Sequence, residues 1–510
     1  MTQTKNTLNK LILSIDKNNV FIQSPDERDI TYGELLSYIE DTYFKLSSLN
    51  IKKEDKIAIV LGNGASMACT FIAIAANYTS CPLNPLYTKE EFKFYYDDLK
   101  VKAVIIEENK SIDAKEAASE LGIKVINLKR ETTSENIKLD IDYVKNKYKY
   151  LPETTTDDIA MILHTSGTTS RPKMVPLSQK NLLASARNIS STLNLKEDDK
   201  CLNIMPMFHI HGLIAAILAP IYKSGTIITP PGFDALKFFR WLDEFKPTWY
   251  TAVPTMHQAI LARAPRNKEI IKNNQLKFIR SSSASLPSIV MQNLENAFNT
   301  CVIESYGMTE ATHQMTSNPL PPAKRKAGSV GLAAGPEVAL LRDKEILINI
   351  ENNINITGQI IIKGENVTTG YINNPKANSE SFVDGWFLTG DEGIFDEDGY
   401  LKITGRLKEI INRGGEKISP KEIDEILLEH KSIQQAVAFS VPHEKLGEDL
   451  YAAVILTEKG NINENQIKDY CKKRLTQFKI PRKILIVDEI PKGATGKLQR
   501  IGLHEKLGIK

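Results

Sequence analysis

The chain has 510 residues, 42% of them hydrophobic, and its 65 basic and 62 acidic residues give a net charge of +3. This length exceeds what one hydrophobic core usually organises, so we expect two or more domains. The balanced charge gives no electrostatic reason to expect nucleic acid or a membrane surface as the main partner, and it leaves the oligomeric state open.

Targeting signals and cysteine usage predict the compartment. The first ten residues lack the apolar core of a signal peptide, no apolar run reaches membrane-spanning length, and the last three residues are not a peroxisomal address. The five cysteines are scattered and form no C-x-x-C pair, which predicts buried thiols in a reducing compartment. We therefore expect a cytoplasmic protein without membrane insertion.

Apolar runs alternate with helical signals through the N-terminal part of the chain. Thr31 and Glu34 fit a capping box that opens a helix, and the small residues of 65–76 predict a second helix. Strands are predicted in the apolar runs at residues 57–61, 101–106 and 159–163. This alternation indicates an α/β fold.

A loop rich in hydroxyl groups follows the strand predicted at 159–163. Residues 164–173, His-Thr-Ser-Gly-Thr-Thr-Ser-Arg-Pro-Lys, contain five hydroxyl residues, one glycine and two cations. Amides and hydroxyls can donate to phosphate oxygens, and glycine lets the backbone approach a ligand closely. The Walker spacing is absent, and similar clusters occur in ordinary surface loops. Ser178 then predicts the start of a helix.

The alternation resumes after this loop and changes character near residue 405. Further strands are predicted at residues 226–229, 249–253 and 276–279, followed by a β-rich section over residues 338–362. Beyond residue 405, we predict helices at 420–428 and 467–475 and strands at 437–441 and 452–456. These elements suggest a smaller α+β domain at the C-terminal end.

Residues 304–310, Glu-Ser-Tyr-Gly-Met-Thr-Glu, combine three kinds of ligand-binding group. Tyr306 offers a flat face for a base, Thr309 a hydroxyl for phosphate, and Glu310 a hard carboxylate oxygen for Mg²⁺. Taken alone, an aromatic residue and a glycine beside an acid are more often a simple strand end.

Several strings together resemble the acyl-adenylate-forming enzymes, the superfamily of acyl-CoA synthetases, luciferases and peptide-synthetase adenylation domains. They are Thr-Ser-Gly-Thr-Thr-x-x-Pro-Lys in the loop, Tyr-Gly-x-Thr-Glu at 306–310, Thr-Gly-Asp at 389–391 with a later Gly-Arg, and Pro-x-x-x-x-Gly-Lys at 491–497. These strings keep the family's order and cover essentially the whole chain. The resemblance implies the acyl-CoA synthetase fold and the use of ATP, Mg²⁺ and CoA.

The resemblance implies a nucleotide site made from these strings. Its ATP- or AMP-binding residues would be Thr165, Ser166, Gly167, Thr168, Thr169, Lys173, Ser305, Tyr306, Gly307, Thr309, Asp391 and Arg406. Glu310 would hold the metal, and Asp391 with Arg406 would hold the ribose. Thr309 would act in catalysis at the α-phosphate. Lys497 would bridge the attacking carboxylate oxygen and the α-phosphate, which offsets the repulsion between two anions.

The resemblance also implies a mobile C-terminal domain. It divides the chain into an N-terminal adenylate-forming domain, a hinge and a C-terminal lid domain, at residues 1–404, 405–408 and 409–510. Lys408 would be the hinge residue. Gly414 and Gly415 would line the CoA tunnel, because a pantetheine chain must pass close to the backbone.

The segments that line the acyl pocket in this family are polar here. They contain His209, His211, Ser283 and His313, and a long alkyl chain would leave their polar groups unpaired, at about 1–3 kcal/mol for each. A short acid with a second polar end would satisfy them. His209 would also act in catalysis by gating the CoA tunnel. Alternatively, the serines cap a following helix, as we expect for Ser285, and His211 is a satisfied core histidine.

Within the family, strings such as Ser-Ser-Ser-Ala-Ser-Leu and Met-Thr-Glu-Ala-Thr-His resemble the branch that activates oxalate. The resemblance implies ligation of a small carboxylic acid, with oxalate the first choice, to coenzyme A through an acyl-AMP intermediate. A synthetase for another short- or medium-chain acid and a nucleotide-binding protein without turnover remain alternatives. The expected partners are these small molecules.

Overall fold

Strands occupy most of the positions that the apolar runs predict. A computed structural model describes residues 5–108, 110–130, 137–142, 151–165, 172–348, 354–457, 461–492 and 498–509. Within those ranges the first strands are β1 (Val20–Gln23), β2 (Ile30–Thr31), β3 (Lys56–Val60), β4 (Thr79–Pro82), β5 (Ala103–Glu107), β6 (Lys124–Arg130), β7 (Ile137–Leu139), β8 (Ile159–Thr165), β9 (Lys173–Ser178), β10 (Lys200–Asn203), β11 (Thr226–Ile228), β12 (Trp249–Ala252), β13 (Phe278–Ser281), β14 (Cys301–Met308), β15 (His313–Ser317) and β16 (Leu332–Ala333). They are followed by β17 (Glu337–Arg342), β18 (Glu345–Leu347), β19 (Gly358–Lys363), β20 (Phe382–Val383), β21 (Trp386–Phe395), β22 (Leu401–Arg406), β23 (Ile411–Arg413), β24 (Glu416–Ile418), β25 (Ile433–His443), β26 (Gly447–Leu456) and β27 (Lys483–Ile486).

Helices separate many of these strands. The described α-helices are α1 (Leu8–Leu13), α2 (Tyr32–Ser48), α3 (Ala65–Asn77), α4 (Lys89–Leu99), α5 (Ile112–Glu120), α6 (Gln179–Thr192), α7 (Ala219–Tyr222), α8 (Phe238–Phe245), α9 (Pro254–Leu261), α10 (Lys268–Asn273), α11 (Ser288–Phe298), α12 (Pro375–Ser381), α13 (Pro420–Leu428), α14 (Glu464–Lys472) and α15 (Leu503–Lys506). A π-helical segment, His211–Leu218, runs directly into α7. None of the helices in the described part of the chain is both long and apolar enough to cross a membrane.

The described strands assemble into four sheets. A nine-stranded sheet has the order β16-β15-β14-β13-β12-β10-β11-β1-β2, and a seven-stranded sheet has the order β7-β6-β5-β3-β4-β8-β9. Both are parallel at their centres and antiparallel at their edges. A six-stranded sheet contains β17 to β22, and a five-stranded sheet in the C-terminal part contains β23 to β27. This architecture confirms the predicted fold class, and ligands are expected beyond the carboxyl ends of the parallel strands.

A layer of helices lies between the two large sheets. α3 packs on the seven-stranded sheet and the π-helical segment on the nine-stranded sheet, and their side chains share one core. α3 is buried along its whole length, which its many small side chains permit. In β3, Ile57 and Ile59 face this core, while Ala58 and Val60 face α4 and α5. Burial of both faces explains why the predicted strands are continuous apolar runs.

Most predicted elements are confirmed. Thr31 and Ser178 cap α2 and α6 with reciprocal side-chain and backbone hydrogen bonds, and the helix predicted at 420–428 is α13. All five cysteines are free, and four are buried.

The differences lie next to the predicted site. The strand predicted at 276–279 runs instead over Phe278–Ser281, so that Arg280 lies inside the sheet. The prediction that Ser285 caps a helix is wrong, because Pro287 is the N-cap of α11 and no side chain caps it. The chain before α11 is held instead by Glu304, whose Oε1 accepts from the Leu286 amide at 2.9 Å.

Glu304 is a buried carboxyl in the middle of β14. Its Oε2 has no hydrogen-bond partner among the described residues, and its exposed fraction is 2%. Burial raises its pKa from 4.5 to about 7, against the Leu286 amide and the charge of Lys421, which lower it. The folded protein therefore loses stability as the pH rises from about 4.5 to about 7, where the group is ionised in the unfolded chain but still protonated in the folded protein.

Glu304→Gln should raise the thermal midpoint at about pH 8 and raise it by a much smaller amount at about pH 5. A shift of one pKa unit corresponds to about 1.4 kcal/mol, so the raised pKa lowers the free energy of unfolding by about 3 kcal/mol at alkaline pH. A glutamine amide has no such penalty, and its oxygen still accepts from the Leu286 amide. Calorimetry of both proteins at the two pH values measures the effect, with the exposed Glu337→Gln as the control. A gain of equal size at both pH values would contradict the assignment.

Candidate active site

The predicted phosphate loop is described at its two ends. Thr165 ends β8 and Lys173 begins β9, and these residues pair across the antiparallel strands. This pairing places both ends of the loop at the carboxyl end of β8, where a ligand is expected. The remaining predicted loop residues, Ser166, Gly167, Thr168 and Thr169, lie outside the described residues, as does Lys497, so their roles stay predictions.

A carboxylate held by two donors marks the predicted ribose site. Asp391 and Arg406 pair across β21 and β22, and Arg406 Nε lies 2.9 Å from Asp391 Oδ1. The Tyr306 hydroxyl donates to Asp391 Oδ2 at 2.5 Å. Asp391 raises the pKa of Arg406, and burial and Asp391 raise the pKa of Tyr306. The structure therefore brings together three residues predicted to bind the nucleotide.

Glu310, the predicted metal ligand, is buried beside Tyr371. The Tyr371 hydroxyl donates to Glu310 Oε1 at 2.9 Å, and Lys173 Nζ lies 4.5 Å from the centre of the Tyr371 ring. Burial raises the pKa of Glu310, and the charges of Arg406 and Lys173 act in the opposite direction. Thr309 starts the 3-10 turn that carries Glu310. The sequence analysis did not identify Tyr371, because no pattern around it indicates this contact.

Glu310 suits a Mg²⁺ site, because it is a single carboxylate with hard oxygen donors. Mg²⁺ usually keeps several waters and takes one or two carboxylates together with substrate phosphates. In the described ranges, no group of three or more His, Cys, Asp or Glu side chains is placed to hold a metal ion. A single carboxylate near the end of the predicted phosphate loop therefore suits a nucleotide-bound ion.

Three of the four predicted acyl-site residues meet in one cluster, in which His211 and His313 are buried and Ser283 is partly exposed. His211 Nδ1 lies 2.9 Å from Ser283 Oγ, and His211 Nε2 lies 2.6 Å from Thr251 Oγ1. The rings of His211 and His313 stack with their centres 4.8 Å apart. Both ring nitrogens of His211 thus have partners. The alternative prediction, that His211 is a core histidine with its hydrogen bonds satisfied, requires the same contacts.

Arg280, which the sequence analysis did not select, belongs to the same cluster. Its Nη1 lies 3.1 Å from His313 Nε2 and 3.4 Å from His211 Nε2, and its Nη2 donates to Gln314 Oε1 at 3.2 Å. Thr251 and Arg280 are neighbours in the parallel register of β12 and β13. A charged residue within an otherwise apolar strand is the signal that could have identified it.

Left-handed backbone at two of the predicted acyl-site residues indicates a constrained site. Ser283 has a φ of 72° and His313 a φ of 96°, values that residues other than glycine rarely adopt. Gly307 lies against this segment in the hairpin of β14 and β15, and a β-carbon there would lie 1.7 Å from the His313 carbonyl oxygen. Glycine is therefore required where the two strands meet.

His209 lies next to this cluster in the chain but has different contacts. It is half-buried, two residues before His211, and its ring centre lies 4.5 Å from that of Phe208. Among the residues that the structure describes, Arg280 hydrogen-bonds His211 and His313 but not His209. The acyl-site and gating roles of His209 stay predictions.

The predicted CoA and hinge residues lie in turns of the C-terminal part. Gly414 and Gly415 connect β23 to β24 with φ of 63° and 99°, as a two-residue hairpin turn favours. This turn accounts for both glycines without a ligand. Lys408 is exposed between β22 and β23. A role in CoA binding or hinge motion stays a prediction for these residues.

Known proteins resemble the chain over its full length. It is 43% identical to an oxalate–CoA ligase of Arabidopsis thaliana, over 94% of this chain and 96% of that protein. It is 37% identical to an oxalate–CoA ligase of Saccharomyces cerevisiae, over 96% of this chain and 94% of that protein. Among solved structures, ATP-bound MatB of Rhodopseudomonas palustris superposes with a TM-score of 0.88 at 26% identity over 99% of both chains.

Two family descriptions also match the chain. AMP-binding enzyme matches residues 14–372, and AMP-binding enzyme C-terminal domain matches residues 422–497. These matches agree with the motifs from which the family was predicted and with the clustering of the nucleotide residues. The prediction is confirmed, and the chain belongs to the AMP-binding enzyme family.

Proposed function

We propose that this protein uses ATP to join oxalate to coenzyme A, as an AMP-forming acid–CoA ligase. Membership of the AMP-binding family supports adenylate chemistry, and two relatives matched over nearly their full length are oxalate–CoA ligases. The observation that carries the choice of acid is the cluster of His211, Ser283, Thr251 and His313. Within this cluster the Ser283 hydroxyl, which accepts from the ring of His211, still has a proton to donate. A second carboxylate can accept that proton, whereas an alkyl chain cannot.

The reaction has two steps. A carboxylate oxygen of the acid attacks the α-phosphorus of ATP and pyrophosphate leaves, and the CoA sulfur then attacks the carbonyl carbon of the acyl-AMP. AMP leaves, and the thiol loses its proton. Glu310 would hold the Mg²⁺ that neutralises phosphate charge. Thr309 would donate to the α-phosphate, and Lys497 would bridge it to the attacking oxygen.

In this proposal, different residues of the nucleotide site bind the ribose, the adenine and the phosphates of ATP. The carboxylate of Asp391 can accept from both ribose hydroxyls, and its contacts with Tyr306 and Arg406 hold it in one orientation. In this proposal the Tyr306 ring also stacks on adenine. Thr165, Lys173 and the loop between them would bind the phosphates.

Movement of the C-terminal part belongs to the same proposal. The two family matches end at residue 372 and begin at residue 422, so the proposed hinge at 405–408 lies between them. Rotation of residues 409–510 against residues 1–404 would exchange Lys497 for Gly414 and Gly415 at the active site. One orientation would serve adenylation and the other thioester formation.

Oxalate should give the highest rate of pyrophosphate release in a panel that also contains malonate, acetate, butyrate, octanoate and a cinnamate. The assay contains Mg²⁺-ATP and CoA, and AMP should form in equal amount. Activity with monocarboxylic acids but not with oxalate would contradict the choice of acid and retain the ligase chemistry. Failure to form AMP with any acid would contradict both.

Lys497→Ala should lower adenylate formation roughly a hundredfold or more while sparing thioester formation from supplied oxalyl-AMP. The two half-reactions are measured separately, by pyrophosphate release and by CoA consumption. Lys492 is exposed in the same segment, and Lys492→Ala is the matched control, expected to behave as the wild type. Equal loss in both half-reactions of the Lys497 variant would reject its bridging role.

Glu310→Gln should raise the Mg²⁺ concentration needed for half-maximal adenylation roughly tenfold or more. An amide is a weaker ligand for this ion, but its oxygen still accepts from Tyr371, so the fold should persist. Titration of Mg²⁺ at constant ATP measures the shift. A lower rate with unchanged Mg²⁺ dependence would speak against Glu310 as the ligand.

A further inference from the structure

The guanidinium of Arg280 is buried without an opposite charge. Its exposed fraction is 0%, and within the described part of the chain no carboxylate forms an ion pair with it. Glu304 cannot supply the opposite charge. Arg280 pairs in register with Ile303, so Glu304, the next residue of that strand, faces the other side of the sheet. A charge buried in this way is strongly unfavourable unless something neutralises it.

Arg500, an arginine that is only partly buried, has its charge balanced by carboxylates of the protein. Arg500 in the C-terminal part lies 2.8 Å from Asp424 and 3.1 Å from Glu409. Arg280 has instead two imidazoles, the Gln314 amide and the Thr251 hydroxyl as neighbours. Burial lowers its pKa to about 9, which leaves it charged at neutral pH. The difference suggests that the missing negative charge comes from a ligand.

Arg280 also determines which ring nitrogens carry protons. A guanidinium has N–H donors and no acceptor, so the Nε2 atoms of His211 and His313 that face it must accept. The proton of each neutral ring is then on Nδ1. His211 Nδ1–H donates to Ser283 Oγ at 2.9 Å, which leaves the Ser283 hydroxyl proton available to a substrate oxygen.

Two further ionisable groups near Arg280, Cys201 and His257, are uncharged at neutral pH. Burial raises the pKa of the Cys201 thiol well above 9, and burial lowers the pKa of His257 to about 3. Among the residues that the structure describes, this cluster therefore has one fixed positive charge, on Arg280, together with several uncharged hydrogen-bonding groups.

We propose that Arg280 is a positioning residue that selects dicarboxylic acids: its charge balances the second carboxylate, and its hydrogen bonds hold His211 and His313 as neutral donors. This inference rests on the proposed ligase function and adds the residue that sets the class of acid. It acts through the imidazoles, since they lie within hydrogen-bond distance of the guanidinium.

Arg280→Met keeps a long side chain, removes the charge and leaves no carboxylate without a partner. It should lower kcat/KM for oxalate roughly a hundredfold, mainly through KM, with the ATP KM and the rate with acetate unchanged. The thermal midpoint should stay the same or rise. Arg263→Met is the matched control, because the Arg263 guanidinium donates to the Ala259 carbonyl of the preceding helix, α9, and not to this cluster.

The pH dependence separates this role from a structural one. Without Arg280, the Nε2 atoms of His211 and His313 no longer face a guanidinium donor, so a proton taken up there can replace the lost charge. The loss for oxalate in Arg280→Met should therefore shrink from about pH 8 to about pH 6, with no such recovery for acetate.

Equal losses for oxalate and acetate, with a lower thermal midpoint, would overturn the proposal in favour of a structural role. If the wild type prefers another dicarboxylic acid, oxalate is the wrong substrate, and the same comparison on that acid still tests Arg280. Wild-type activity on monocarboxylic acids alone would contradict both proposals.

Discussion

The close approach of Gly307 to the His313 carbonyl fixes the proposed nucleotide-binding residues next to the proposed acyl-site residues. We call these two groups of residues the nucleotide half and the acyl half of the candidate site. β14 carries Tyr306, a short 3-10 turn carries Glu310, and β15 begins at His313. At this separation the hairpin leaves no room for a side chain at position 307. The groups proposed to bind nucleotide and acid are therefore fixed on one hairpin, as a reaction between a carboxylate and a phosphate requires.

The two halves of the candidate site differ in whether a charged side chain has an oppositely charged partner in the protein. In the nucleotide half, the carboxylate of Asp391 is paired with Arg406 and Tyr306. In the acyl half, Arg280 is surrounded by neutral donors and acceptors of the described residues. The first arrangement balances its charge within the protein. In our proposal, the second leaves a positive charge that an anionic substrate completes, and discrimination between acids then follows from electrostatics rather than from pocket size.

Two adjacent strands carry buried ionisable groups that weaken the fold. Arg280 in β13 and Glu304 in β14 point to opposite faces of the nine-stranded sheet, so neither neutralises the other. Burial disfavours the charged form of each, which lowers the pKa of Arg280 and raises that of Glu304. Such groups are expected at a functional site, where local stability is given up for chemistry. The left-handed backbone of Ser283 and His313 fits the same pattern.

The sequence by itself determined the fold class, most strands and helices and the family, and it predicted the nucleotide-binding residues from short strings. It could do so because Tyr306, Thr309 and Glu310 lie in one short string, where residue type and spacing already express the chemistry. The partners of Arg280 and Tyr371 were decided by the tertiary structure. Arg280 meets Gln314 across 34 positions of the chain, and Tyr371 meets Glu310 across 61. The contact of Arg280 depends on the order of β13, β14 and β15 in the sheet. The contact of Tyr371 depends on where the segment between β19 and α12 packs. No local sequence pattern specifies either arrangement.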